Sequence, residues 1–286
     1  MSLFTKAAAL VLPPRTSAEP AGATRVLAVA HRGASADAPE NTLAAVRRAI
    51  TLGASLIELD VQRTRDGKLV VFHDATLTRT TDAARVFPDR APWHLADFTL
   101  AEVLTLDAGS WNGAQFAGER VPTLADAIRA LRTSGSGLLL ELKSPGRYPG
   151  IEDEVADLMR EFRGYVRSAV ATGRLAVQSL DVDSLRRYHR AESRVPVALL
   201  GRPAPSDLPA LATWVDGINP FHLAVDAAYV AEVHRLGLDC RVWTVDTVAD
   251  LTRALDLGVD GVITNRPDLL TALLDERRDR LAGSAA

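Results

Sequence analysis

About eight times after Thr24, a short apolar run gives way to a longer amphipathic stretch, and this rhythm constrains the fold more than any other feature of the chain. The runs are VLAVA, LIELDV, LLLELK, LAVQS, PVALL, DGINP, CRVWTV and GVITN. The amphipathic stretches begin near Thr42, Thr123, Glu152, Asp183, Ser206, Asp226, Thr247 and Pro267. Strands alternating with helices build a parallel sheet, because a parallel connection needs a crossover long enough to hold a helix. Eight such units close an α/β (β/α)8 TIM barrel, and the 286 residues and 47% hydrophobic content suffice for one core of that size. In such barrels chemistry sits at the C-terminal ends of the strands, which is where candidate residues are sought.

The rhythm sets the domain boundaries: residues 1–23 read as a mobile tail and residues 24–282 as the barrel. The tail carries an apolar patch from Ala7 to Leu12, shorter than the roughly 7–15 residues of a secretory signal and ended by Pro13-Pro14. Residues 76–121, rich in Thr, Asp, Pro and Trp, are too long for an ordinary connection and read as a short insertion over the C-terminal mouth. A net charge of -3 argues against nucleic acid as a partner, and no apolar run reaches the roughly 20 residues needed for membrane insertion, so the partner expected is a small molecule. A single cysteine, Cys240, rules out an intrachain disulfide, which fits a cytoplasmic protein and is compatible with export. The oligomeric state is not encoded in any motif.

Strand alternation places Leu56, Glu58 and Asp60 on one face of LIELDV, with Ile57, Leu59 and Val61 toward the helices. In LLLELK it places Glu141 and Lys143 on the face opposite Leu138, Leu140 and Leu142. Buried strand-end carboxylates need a positive partner. An oxygen-rich cluster of Glu58, Asp60 and Glu141 suits a hard divalent cation such as Mg2+ or Ca2+, whereas an ion-pair network with Lys143, Arg32 or Arg63 would need no metal. His31 ends the first strand. Reading Asp66-Gly67 as a two-residue hairpin turn pairs Gln62 with Val71 and sets His73 opposite Asp60. Two imidazoles at one mouth can divide proton removal and proton donation. Arg32 offers a planar fork for phosphate or carboxylate, and Gly33 permits close backbone approach. Asn41 or Thr42 reads as an N-cap. Trp243 lies near another strand end, where an aromatic packs or lines a pocket; it is carried as a substrate-side candidate.

The ordered set AHRG, PENT, IELDVQRTRDG, VVFHD, LTRTTD, ERVPTL, LELK, QS, WTVD and GVDGVITNRP resembles the glycerophosphodiester phosphodiesterase family from His31 to Pro267. The resemblance implies a barrel hydrolase with Glu58, Asp60 and Glu141 as metal ligands, His31 and His73 as the acid and base pair, and Arg32 and Lys143 near the phosphate. It implies hydrolysis of glycerophosphodiesters to sn-glycerol 3-phosphate and an alcohol. The alternatives are lysophospholipase D, with an acyl groove from Phe87, Trp93, Phe98, Trp111 and Phe116, or a non-catalytic phosphodiester-binding barrel. WTVD stands where many members have WTVN, and QSLD where an aromatic often follows QS; both bear on specificity.

Overall fold

The computed structural model describes residues 26–284, so the tail expected at 1–23 lies outside the described residues. The elements run β1 (Leu27–Ala30), α1 (Leu43–Thr51), β2 (Leu56–Arg63), β3 (Leu69–Val71), α2 (Ala83–Val86), α3 (Leu100–Val103), α4 (Leu124–Leu131), β4 (Gly137–Leu142), α5 (Ile151–Glu161) and α6 (Arg163–Ala171). They continue β5 (Leu175–Ser179), α7 (Val182–Ala191), β6 (Val197–Leu200), α8 (Leu208–Leu211), β7 (Gly217–Asn219), α9 (Ala227–Arg235), β8 (Asp239–Val242), α10 (Val248–Asp256), β9 (Gly261–Thr264) and α11 (Pro267–Ser284). Eight strands run in the order β1-β9-β8-β7-β6-β5-β4-β2 and close through a β1–β2 pairing, giving the parallel barrel. Among the described residues, six helices start on a side-chain cap: Thr42, Thr99, Thr123, Asp181, Asp226 and Thr247 each accept a backbone N–H of the first turn. Each such cap is worth about 1 kcal/mol.

The two faces of each strand divide the core. Ile57, Leu59, Leu138, Leu140 and Leu142 join the layer between strands and helices, while Val29, Leu56, Leu139, Ala176 and Ile263 pack together inside the barrel. The β2–β4 register sets Asp60 beside Glu141 and Glu58 beside Leu139. Full burial of each leucine or isoleucine contributes about 1.5–3 kcal/mol, which holds the carboxylates on the opposite face wherever the alternation puts them.

Strand β2 outruns β1. Only Leu56 and Ile57 pair with β1, and the same edge is taken up again by β3 at Val61 to Arg63. The hairpin register differs from the expected one. Val61 pairs with Val71, Gln62 with Val70 and Arg63 with Leu69, one residue away from the pairing that a two-residue turn would give. The loop has three residues, Arg65, Asp66 and Gly67: Thr64 and Lys68 close it through Thr64 N–H to Lys68 O at 3.0 Å, and Gly67 adopts φ +75°. The Thr64 hydroxyl selects this longer loop by donating to Asp66 and accepting from Lys68 N–H. Asp60 therefore lies opposite Phe72, whose N–H reaches the Asp60 carbonyl at 2.9 Å, and His73 attains the mouth by another route, described below.

Residues 76–121 fold on their own small core. Leu77, Leu95, Phe98, Val103 and Leu106 gather on Val70 and Phe72 of the hairpin, with Phe87 and Trp93 packed alongside. Asp107 ties the segment together by accepting the N–H groups of Gly109, Ser110 and Gly118. Against its burial, these bonds hold the Asp107 carboxyl well below the usual carboxylate range. The Thr99 backbone N–H, with Arg90, holds Glu102 down to about 2. Both carboxylates have depressed folded values, so the stability they add is full above the unfolded pKa near 4 and is lost as pH falls through the folded value. Hydrogen exchange of the 99–120 segment is expected to lose protection between about pH 4 and pH 2 while the barrel strands stay protected. Equal protection of both regions across that range would contradict this.

Candidate active site

The mouth is built at the stretch of β2 that has no neighbouring strand on the β1 side. There Glu58 Oε2 accepts the backbone N–H of Arg32 at 2.9 Å, and Asn41 donates to Asp60 Oδ2 at 2.8 Å while its carbonyl accepts Asp60 N–H at 3.3 Å. Arg32 and Asn41 both take left-handed backbone angles, φ 55° and 57°. Such residues cost about 1–3 kcal/mol where the surroundings enforce them, and here they aim two polar groups at buried acids. Gly33 is needed at φ +83°, since a Cβ there would lie 2.7 Å from Ala45. Thr42 alone is the cap of α1; Asn41 belongs to the site.

One carboxylate oxygen each from Glu58, Asp60 and Glu141 lie within 4.8 Å of one another, and all three residues are buried. Burial, then the charges of Asp60 and Glu141, raises Glu58 well above the ordinary range. Burial and Asp60 push Glu141 up to about 7 against the pull of Lys143. Lys143 Nζ lies 2.9 Å from Glu141 and 3.6 Å from Asp60, and Arg32 Nε lies 3.5 Å from Asp60. Arg63 points elsewhere, to Glu154 and the Pro149 carbonyl.

His31, His73, Arg32, Lys143, Glu58 and Glu141 line one cavity of about 120 Å³, with Trp243, Leu180 and Leu200 as its apolar wall. Trp243 donates to the Asn219 carbonyl at 2.7 Å and its ring meets Phe221 at 5.6 Å, so it both packs and lines the pocket. His31 Nδ1 is 2.7 Å from Asn265 Oδ1. Burial, followed by the Arg32 charge, pushes His31 down to about 4. His73 Nδ1 is 2.6 Å from Asp74 Oδ1; burial lowers His73 too, opposed by Asp60 and by that hydrogen bond. Against its own burial, bonds from Arg79 and His73 hold Asp74 down to about 2.

His73 reaches the cavity because Gln62 gathers the chain after β3. Its side-chain NH2 lies 2.7–2.9 Å from the carbonyls of Phe72, His73 and Asp74, and its oxygen accepts the Tyr148 hydroxyl at 2.8 Å. Arg79 clamps both Asp74 and Glu40, and Glu40 accepts Arg32 at 2.9 Å, so a chain of charges links the two sides of the mouth. Glu40, Gln62, Asp74, Arg79 and Asn265 received no site role from the sequence, and Asp246 entered only as the departure WTVD. All six stood inside quoted motifs, PENT, IELDVQRTRDG, VVFHD, LTRTTD, GVDGVITNRP and WTVD, and that was the signal the sequence offered. Of the five aromatics offered for an acyl groove, Phe98 is fully buried, Phe87 and Trp93 pack on the insertion core, Phe116 is half-buried and Trp111 is exposed.

Barrel and candidate site together present a charged cavity at the C-terminal ends of the strands. The sequence pattern of the Glycerophosphoryl diester phosphodiesterase family matches residues 31–269. A glycerophosphodiester phosphodiesterase of Caldanaerobacter subterraneus subsp. tengcongensis is 36% identical, the match covering 87% of this chain and 98% of that relative. One from Bacillus subtilis is 35% identical over 86% of this chain and 85% of its own length. Among solved structures, a phosphodiesterase of Oleispira antarctica in complex with the product sn-glycerol-3-phosphate is 27% identical, with TM-score 0.74 over 87% of this chain and 96% of that one. The chain belongs to the glycerophosphoryl diester phosphodiesterase family, and its class of reaction is phosphoric diester hydrolysis. No helix among the described residues is long and apolar enough to cross a membrane.

Gln62→Leu strips three carbonyls and the Tyr148 hydroxyl of their partner at a fully buried position. Its expected cost is about 1–3 kcal/mol, read as a lower denaturation midpoint, against a smaller loss of about 0.5–1.5 kcal/mol for Tyr148→Phe. Equal stability of Gln62→Leu and wild type would refute the clamp.

Proposed function

We propose that the mouth hydrolyses glycerophosphodiesters to sn-glycerol 3-phosphate and an alcohol, with His31 as general base and His73 as general acid. The observation that carries the reading is the convergence of two imidazoles, Arg32, Lys143 and a buried carboxylate cluster on a single cavity. The relatives' activities and the product held by the Oleispira neighbour support the glycerol phosphate side of the substrate.

Glu58, Asp60 and Glu141 would hold a divalent cation, Mg2+ or Ca2+. Three buried carboxylates facing Arg32 and Lys143 leave a surplus of negative charge, and an all-oxygen donor set suits a hard cation. Such a cation, when bound, stabilises charge growing on the phosphoryl oxygens. Arg32 and Lys143 bind the same phosphoryl group from the protein side and orient it.

The two histidines differ in what faces Nδ1. His31 meets a neutral amide oxygen and is held neutral, so its Nε2 is free to take the proton of the attacking hydroxyl, from water or from the substrate's own glycerol. Burial lowers His73, opposed by the Asp60 charge and by the Asp74 carboxylate at its Nδ1; in its protonated form it gives its Nε2 proton to the departing alkoxide as the P–O bond breaks. The buried Cys240 fits a reducing cytoplasm as the compartment.

A second substrate class, lysophospholipids, is favoured by one observation: Leu180, Phe221 and Leu223 are exposed on the loops after β5 and β7. Choline release from glycerophosphocholine is expected to exceed that from lysophosphatidylcholine; a strong preference for the acylated substrate would overturn the choice.

Glycerol 3-phosphate release is expected to stop with chelator and return with Mg2+ or Ca2+, and a chelator-insensitive rate would remove the metal from the scheme. His31→Ala and His73→Ala are each expected to lower kcat by about 10²–10⁴-fold with KM nearly unchanged. Undiminished turnover in either variant would withdraw that histidine.

A further inference from the structure

The Nδ1 partner of His31 is a side-chain amide, and an amide can present either of two chemically opposite ends. Asn265 Oδ1 lies 2.7 Å from His31 Nδ1 and 2.7 Å from Ser35 Oγ. Ser35 Oγ also lies 2.8 Å from the His31 carbonyl, and the hydroxyl has one proton to give. Locally, the flipped amide would satisfy this corner equally well: its NH2 would donate to Ser35 and to His31 Nδ1, and Ser35 would donate to the His31 carbonyl. That flip would move the His31 proton to Nε2 and leave no lone pair facing the cavity.

What forbids the flip is Asp246. Its Oδ2 lies 2.6 Å from Asn265 Nδ2, and its Oδ1 accepts the Asn265 backbone N–H at 2.8 Å and the Thr264 hydroxyl at 3.2 Å. An ionised carboxylate only accepts, so an amide oxygen turned toward it would place two oxygens at 2.6 Å with no proton between them. We propose that Asp246 is a positioning residue for the reaction: its carboxylate locks the Asn265 amide so that His31 carries its proton on Nδ1 and offers an unprotonated Nε2 to the substrate. The inference rests on His31 acting as the base. It gives a role to the aspartate of WTVD, at a position where an asparagine, with one acceptor oxygen and an NH2 of its own, would tolerate either orientation of Asn265.

The test is Asp246→Asn, which keeps the shape and removes the acceptor-only character, together with Asn265→Ala, which retains the backbone bond to Asp246. In wild-type protein, the 15N shifts of the His31 ring are expected to report a proton on Nδ1 alone, and in Asp246→Asn a mixture of tautomers. Turnover of glycerophosphocholine is expected to fall about 10-fold in kcat with KM within about twofold, the signature of a lost transition-state role. In an Asn265→Ala background, Asp246→Asn should add nothing further. A wild-type tautomer and wild-type kcat in Asp246→Asn would overturn the lock. If Asp246→Asn folds poorly, Asn265→Ala serves alone, and an unchanged kcat and tautomer there overturn the lock equally. Full turnover by His31→Ala would instead overturn the underlying base assignment, so the two failures are distinguishable.

Discussion

Mutual repulsion among Glu58, Asp60 and Glu141 is the constraint around which the molecule is arranged. At separations up to 4.8 Å, each pair of ionised acids opposes the other by at least about 3 kcal/mol at an effective dielectric near 20. Burial raises the cost further. The fold answers with hydrogen bonds aimed at the acids from unusual backbone, Arg32 N–H on Glu58 and the Asn41 amide on Asp60, and with the cationic ends of Arg32 and Lys143. These groups come from the loop after β1 and from the end of β4, so neutralising the acids also assembles the mouth.

The barrel keeps this cluster in place because apolar packing fixes strand orientation. Leu59, between the two acids of β2, is fully buried against the helices, as are Leu140 and Leu142 on β4. A one-residue slip would exchange leucines for carboxylates across the sheet. Precision at the mouth is thus inherited from the outer core, while loops supply the polar groups that tune it.

Much of this was legible in the sequence. The eightfold rhythm led to the barrel, and the period of two led to the shared faces of Glu58 with Asp60 and of Glu141 with Lys143. His73 was selected on a register that the hairpin does not adopt: Asp-Gly is compatible with a two- or a three-residue loop, and the Thr64 hydroxyl decided for the longer one. Asn41 read as a cap because a left-handed backbone leaves no mark in composition. Asn265 lies more than two hundred positions from His31, and only the pairing of β1 with β9 brings them together. No periodicity could have carried that contact.

The clasp from Arg32 through Glu40 and Arg79 to Asp74 gives the segment after β3 a meaning that its placement beside the barrel conceals. A chain trimmed of residues 76–121 would retain its strands and its acids, yet it would lose the guanidinium that grips Asp74 behind His73 and Glu40 behind Arg32. The insertion is therefore no ornament that barrel architecture could shed at will. It is a keystone, and cutting it back past Arg79 would loosen His73 and Arg32 in a single stroke.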